Sequence, residues 1–310
     1  MAGLSVETED VAQRLREAMK GGVLSFPVTS FAPDGELDLA AYRAYLTAQF
    51  DTSPGAVFPA CGTGEFSGLD EDEYRAVVAT TVEVADGRLP VVAGTGYGWA
   101  QALRFARIAE QAGADALLVM PHYLVEVSQD GLVEQLRRIA GGTRLPLIAY
   151  QRGPVTFTPE GLRRLKDGHS DLDRLQRLTL AAPDGFLFFN GAATAEIQAR
   201  AYATVGVPAY SSAVHAFAPE IANTFFHALR DGDDAAVHKL LRDFYVPFVE
   251  LRDRVPGYAV ALVKAAARLR GLAVGPVRAP LTDPGPADLA ELAKILDDGL
   301  NLVGAVRQRV

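Results

Sequence analysis

The chain has very little cysteine and lysine, and no long apolar run. Cys61 is the single cysteine in 310 residues. An intrachain disulfide is therefore impossible, and a reducing cytoplasm is the expected location. No uninterrupted run of about 18 apolar residues occurs, so no segment is expected to span a membrane. The first ten residues carry Glu7, Glu9 and Asp10 around no apolar stretch, which excludes a signal peptide as their reading. The five histidines, at 122, 169, 215, 227 and 238, are scattered. None pairs with a cysteine or another histidine at metal-ligand spacing, so no metal site is expected. The net charge is −8, and no Lys/Arg cluster with interleaved aromatics offsets it. A nucleic-acid surface is excluded on that ground.

Lysine is kept at only five positions, 20, 166, 239, 264 and 294, while arginine supplies the other 25 of 30 basic residues. A desolvated lysine can lose its proton and attack a carbonyl, which arginine cannot do. Lys20, Lys239 and Lys294 fall on charge-rich helical stretches, and Lys264 falls on an amphipathic helical pattern. Lys166 instead stands before the turn pair Asp167-Gly168, where a buried strand should end. The competing reading is a solvated loop lysine.

Seven apolar, β-rich runs alternate with amphipathic helical stretches. The runs cover 23–27, 56–58, 90–94, 116–119, 146–150, 186–189 and 208–210. Helices are predicted from Asp38, over 70–84, over 100–112 with Gly113 as C-cap, and over 128–140 with Ser128 as N-cap. Continuous apolar strands between helices imply a parallel sheet buried on both faces. With room for another strand near Lys166, the pattern predicts an α/β fold, a (β/α)8 TIM barrel over residues 15–230. A C-terminal helical region over 231–305 should pack on it, with helices near 233–252, 257–270 and 286–300.

In such a barrel the strand C-termini carry the site. That selects Thr29, Gly62-Thr63 with Glu65, Gly94-Thr95-Gly96, His122 and Tyr123, Tyr150 and Arg152, Lys166, Asn190-Gly191, and Ser211-Ser212. The set offers an amine, phenols, an arginine and hydroxyls beside glycine turns, whose backbone N–H groups suit a carboxylate. It fits a keto acid. The Cys61-Gly62-Thr63-Gly64-Glu65-Phe66 run lacks the glycine spacing and lysine of a nucleotide loop. Cys61 reads as a small buried thiol. Tyr150 is open between a core tyrosine and a proton donor.

Phe26-Pro27-Val28-Thr29, Gly62-Thr63-Gly64-Glu65-Phe66, Ala93-Gly94-Thr95-Gly96-Tyr97-Gly98, Pro121-His122-Tyr123-Leu124, Tyr150-Gln151-Arg152, Lys166-Asp167-Gly168, Tyr210-Ser211-Ser212 and Gly275-Pro276-Val277-Arg278-Ala279-Pro280-Leu281 stand in order along residues 15 to 300. In this the chain resembles the 5-dehydro-4-deoxyglucarate dehydratases, of the dihydrodipicolinate synthase / N-acetylneuraminate lyase superfamily. The resemblance implies that Lys166 is the Schiff-base lysine and that Tyr150 relays protons. It implies that Thr63 and the adjacent Gly62 backbone hold the substrate carboxylate, and that Tyr123 stands near a subunit interface. It also implies a homo-oligomer, dimer or tetramer, acting on a keto sugar acid without a cofactor. Ser211 and Ser212 are further candidates for substrate binding, and Arg152 is the candidate cation for the distal carboxylate.

The pattern departs from those enzymes at Gln151, Gly153 and Pro154, at His215 and Ala216, and at Asn190-Gly191-Ala192-Ala193. These positions are expected on substrate-facing loops, which leaves open another class I lyase or aldolase acting on a 2-keto acid. From Tyr150 to Lys166 the chain spends 16 residues, against 20 to 29 for neighbouring strand-to-strand steps. A helix cued by Thr158-Pro159-Glu160 then leaves little for a strand, and Arg163 and Arg164 are poor residues for a buried one. Strand 6 is therefore expected to be truncated and Lys166 displaced, leaving a barrel with weak or no activity.

Overall fold

The computed structural model describes residues 6–122, 126–153, 155–157, 164–182 and 186–306. Eight short parallel strands form its centre: β1 (Leu24–Ser25), β2 (Ala56–Val57), β3 (Val92–Thr95), β4 (Ala116–Val119), β5 (Leu147–Gln151), β6 (Arg164–Asp167), β7 (Leu187–Asn190) and β8 (Ser211–Ser212). One arc runs β2-β1-β8 and the other β3-β4-β5-β6-β7. The bridges Val57↔Val91 and Asn190↔Tyr210 join the arcs into a closed ring. The fold is the (β/α)8 barrel expected of strands apolar on both faces.

Helices α1 (Val6–Gly21), α2 (Leu39–Phe50), α3 (Glu71–Ala85), α4 (Trp99–Ala112), α5 (Gln129–Ala140), α6 (Leu172–Ala181), α7 (Ala199–Thr204) and α8 (Pro219–Asp231) accompany the strands. Their ends follow local chemistry. Asp38 accepts from the Ala41 N–H, Asp70 and Glu73 form a reciprocal capping box, and the Ser128 hydroxyl accepts from the Gly131 N–H. Gly113 closes α4 at φ +90°. Inward side chains of the strands, including Leu24, Phe26, Phe58, Leu118, Ile148 and Phe189, fill the barrel, and Leu15 and Met19 of α1 join the same cluster.

The expected truncation of strand 6 is not what the structure has. β6 is four residues long, as are β3, β4 and β7. It pairs residue for residue on both sides, Tyr150↔Lys166 with β5 and Lys166↔Phe189 with β7. Its charges do not disqualify it, because each described one has a place. Leu165 packs outward with Phe157 and Leu178. Lys166 turns into the barrel, where it is 6% exposed. Asp167 is buried on the outer side, accepting from the Gln151 amide at 2.6 Å and from the Tyr202 hydroxyl. Lys166 is thus not displaced, which removes the ground for expecting an inactive barrel. What is short is the crossover before it. Helices follow every strand except β5 among the described residues, and the helix cued at Thr158 lies outside them.

After α8 come α9 (Asp234–Leu240), a π-helical turn (Leu241–Tyr245), α10 (Val246–Arg252), α11 (Tyr258–Leu269) and α12 (Pro286–Leu302). They share one apolar cluster with the barrel wall, in which Phe217, Phe225, Tyr245, Phe248, Leu262 and Leu296 are all buried. Lys264 on α11, read from the sequence only as part of an amphipathic helix, has a buried partner. It is fully buried and pairs with the buried Glu65 at 2.7 Å. Its Nζ also donates to the Pro276 carbonyl at 2.7 Å and stands 4.1 Å from the Phe31 ring centre. The Arg278 guanidinium stands 4.0 Å from that same ring centre and pairs with Glu73. Gly275 permits this clamp. Its φ is +66°, and a Cβ there would lie 1.7 Å from the Phe31 carbonyl oxygen.

Candidate active site

At the C-terminal ends of the strands lies a cavity of about 200 Å³. Its lining brings together Gly62, Thr63, Tyr150, Arg152, Lys166, Gly191 and Ser211, seven of the positions read from the sequence. The side chain of Lys166 comes up from an aromatic floor. Nζ is 4.0 Å from the centre of the Phe26 ring and 4.3 Å from that of Tyr150. Phe26 stacks on Phe58 with ring centres 4.5 Å apart, so this floor is continuous with the barrel core.

Burial lowers the Lys166 pKa from 10.5 to about 7, and the positive charge of Arg152 adds to the shift. An ammonium loses hydration there and finds no compensating carboxylate among the described residues. Lys264, the other buried lysine, differs in kind. Burial lowers its pKa to about 8, but Glu65 opposes the shift and two oxygens hold its ammonium. Lys264 is an anchored cation; Lys166 is an amine available at neutral pH.

Tyr150 shares that environment. Its hydroxyl donates to the Gly191 carbonyl at 3.0 Å and receives the Arg152 Nη1–H at 3.4 Å. Burial raises the phenol pKa, and the charge of Arg152 works against that rise. Gly191 is required by sterics, since a Cβ there would fall 2.2 Å from Cε of Lys166. The turn after β2 is held in place by Thr29, whose hydroxyl donates to the Gly64 carbonyl at 2.8 Å.

Several sequence candidates lie elsewhere. Ser212 does not line the cavity, because successive residues of a strand point to opposite faces. Ser211 faces in, whereas the Ser212 hydroxyl donates to Glu196 at 2.5 Å and accepts from the His215 N–H at 3.1 Å. His215 is also directed away. Its ring nitrogens contact Ser25 and Thr52, and burial lowers its pKa to about 4. Gln151 is fully buried between Asp167 and the Phe157 N–H. The departures at Gln151 and His215 therefore do not face the cavity, but Gly191, Ala192 and Ala193 do. Cys61 is a buried thiol whose pKa burial pushes up to about 12, so it is no nucleophile. Tyr123 and Pro154 lie outside the described residues.

Sequence reasoning missed the contribution of the C-terminal helices. Phe248 and Arg252 of α10, one helical turn apart, line the cavity with Ala259, Val260 and Val263 of α11. No motif marks them. Among the described residues no three His, Cys, Asp or Glu side chains converge to hold a metal, and no helix is long and apolar enough to cross a membrane.

Comparison with known proteins follows the same lines. The model of the dihydrodipicolinate synthetase family matches residues 19–298. A protein of Streptomyces avermitilis named Probable 5-dehydro-4-deoxyglucarate dehydratase 2 is 74% identical, over 96% of this chain and 93% of its own. A protein of the same name from Streptomyces coelicolor is 73% identical, over 95% and 94%. The crystal structure of dihydrodipicolinate synthase from Bacillus clausii superposes with a TM-score of 0.83 at 27% identity, over 91% of this chain and 98% of that one.

Proposed function

The chain belongs to the dihydrodipicolinate synthetase family, and on that premise we propose that it is a 5-dehydro-4-deoxyglucarate dehydratase. It is a lyase that converts 5-dehydro-4-deoxy-D-glucarate to 2,5-dioxopentanoate, CO2 and water through a Schiff base. The observation that carries this reading is a buried amine with a pKa near 7, next to a phenol, in a cavity that no carboxylate lines among the described residues.

The chemistry runs as follows. The neutral amine of Lys166 adds to the ketone carbon beside the substrate carboxylate and expels water, giving a protonated imine. Thr63 and the Gly62 backbone receive that carboxylate, and Ser211 supplies a further hydroxyl. The imine withdraws electrons from the neighbouring CH2, so a proton leaves it and an enamine forms. Tyr150 relays this proton, its phenol polarised by the Arg152 guanidinium. The enamine pushes out the β-hydroxyl as water and leaves an imine conjugated to a C=C bond. The carbon bearing the distal carboxylate then loses CO2, and its bonding electrons move into that conjugated system. Protonation and tautomerisation give the aldehyde, and water releases the keto acid from Lys166. One water and one CO2 leave per substrate, which balances the atoms.

The homo-oligomer belongs to this proposal, and a sedimentation measurement tests it. The function itself is tested by incubating the protein with 5-dehydro-4-deoxy-D-glucarate and measuring CO2 and 2,5-dioxopentanoate. Equimolar formation is the expected result. Cleavage to a shorter 2-keto acid without CO2 would assign it to another class I lyase, and no turnover would make it a binding protein.

A further inference from the structure

Among the described residues two guanidinium groups line the cavity, and their surroundings divide the work between them. Arg152 belongs to the reacting end. Its Nη1 lies 3.4 Å from the Tyr150 hydroxyl, and its charge acts on both Tyr150 and Lys166. Arg252 lines the same cavity, and its described hydrogen bonds go to Ala193, Thr194 and Asp253 rather than to either group. Its side chain is only 14% exposed.

The site around Arg252 is built. Nη1 donates to the Ala193 carbonyl at 2.9 Å and to the Thr194 hydroxyl at 2.8 Å. Nε and Nη2 hold Asp253 in a fork, at 2.7 and 3.0 Å. One Nη2–H remains without a partner among the described residues. Thr194, which also lines the cavity, has φ +54°, an outlying conformation for a β-branched residue. Arg252 thus fixes a strained wall and presents charge beside a hydroxyl. Among the described residues no Asp or Glu lines the cavity, and Asp253, which forks the guanidinium from outside the lining, is the carboxylate a substrate would share it with.

We propose that Arg252, with the Thr194 hydroxyl, binds the carboxylate of the substrate farthest from the imine carbon. The C-terminal helices thereby set the preference for a dicarboxylate. This rests on the Schiff-base function proposed above and assigns the distal contact to α10 rather than to Arg152.

The test compares two six-carbon 2-keto acids, 2-oxoadipate and 2-oxohexanoate, which differ in a terminal carboxylate against a methyl group. Each is trapped on the protein with cyanoborohydride, and the half-saturating concentration is read by mass. The wild type should take 2-oxoadipate at the lower concentration. In Arg252→Gln the ratio of the two concentrations should move about 10²-fold towards 2-oxohexanoate, the scale of losing a charged hydrogen bond. Arg252→Lys should recover part of it. Because the ratio is read on protein that forms the adduct, partial misfolding cancels. A wild type without preference, or a ratio within twofold in Arg252→Gln, would overturn the assignment while leaving the imine chemistry intact. A wild type that traps neither acid would overturn the Schiff-base reading and this assignment together.

Discussion

The low pKa of Lys166 makes a prediction about pH that an ordinary lysine would not share. At pH 7 about half of a group titrating near 7 is neutral, against about 1 in 3,000 at the usual 10.5. Burial therefore raises the fraction of reactive amine by about 10³. The rate of imine formation with pyruvate, trapped by cyanoborohydride at pH 5 to 10, should rise about tenfold per pH unit up to about 7 and then level off. A rate still rising at pH 9 would refute the reasoning. The same shift acts on stability. A folded pKa below the unfolded one means that the unfolded chain binds more protons between about 7 and 10.5. The destabilisation due to Lys166 therefore grows as pH falls through that window and is constant below it. Lys166→Met should raise the melting temperature, and raise it more at pH 6 than at pH 9.5. An equal gain at both values would mean that the amine titrates normally.

Other consequences follow from single contacts. Tyr150→Phe should fold normally and slow turnover by about 10²-fold or more, the usual scale for a positioned acid–base group. A near-normal rate would make Tyr150 a packing residue only. Gly191→Ala should cut kcat by a similar factor, because the new Cβ forces Cε of Lys166 to move and small displacements are costly to positioned chemistry. Unchanged kcat would show that the wall yields instead. Lys264→Ala leaves the buried Glu65 carboxylate without its counter-charge and should cost about 3–5 kcal/mol in urea unfolding, since breaking one partner of a buried ion pair strands the other. A loss below about 1 kcal/mol would contradict the clamp between α11 and the barrel.

The strands were legible where apolar residues run together. The span 116–119 is β4, and the helix signals at Asp38, Asp70, Gly113 and Ser128 all mark real ends. Spacing alone misjudged β6. Its Asp167, read as half of a turn pair, is the last strand residue and is held by Tyr202, 35 residues later. The last strand was displaced for a related reason. The apolar run 208–210 precedes β8, which is two serines held between β1 and the polar cluster of Glu196 and His215. Most of the lysine–tyrosine site could be read, because strand ends in a barrel converge wherever they fall in sequence. Arg252 and Phe248 could not, because a helix far along the chain carries them to the cavity without any local signature. Lys264 was hidden in the same way: its partner Glu65 lies two hundred residues away in a loop.

The central claim is that Lys166 is the nucleophile, and the other buried lysine supplies the control. The protein should be incubated with a 2-keto acid, reduced with borohydride, digested and mapped by mass spectrometry. The account predicts one adduct, on the peptide containing Lys166, and none on the peptide containing Lys264. An adduct on Lys264, or no adduct on either with pyruvate and with 5-dehydro-4-deoxy-D-glucarate, would contradict it.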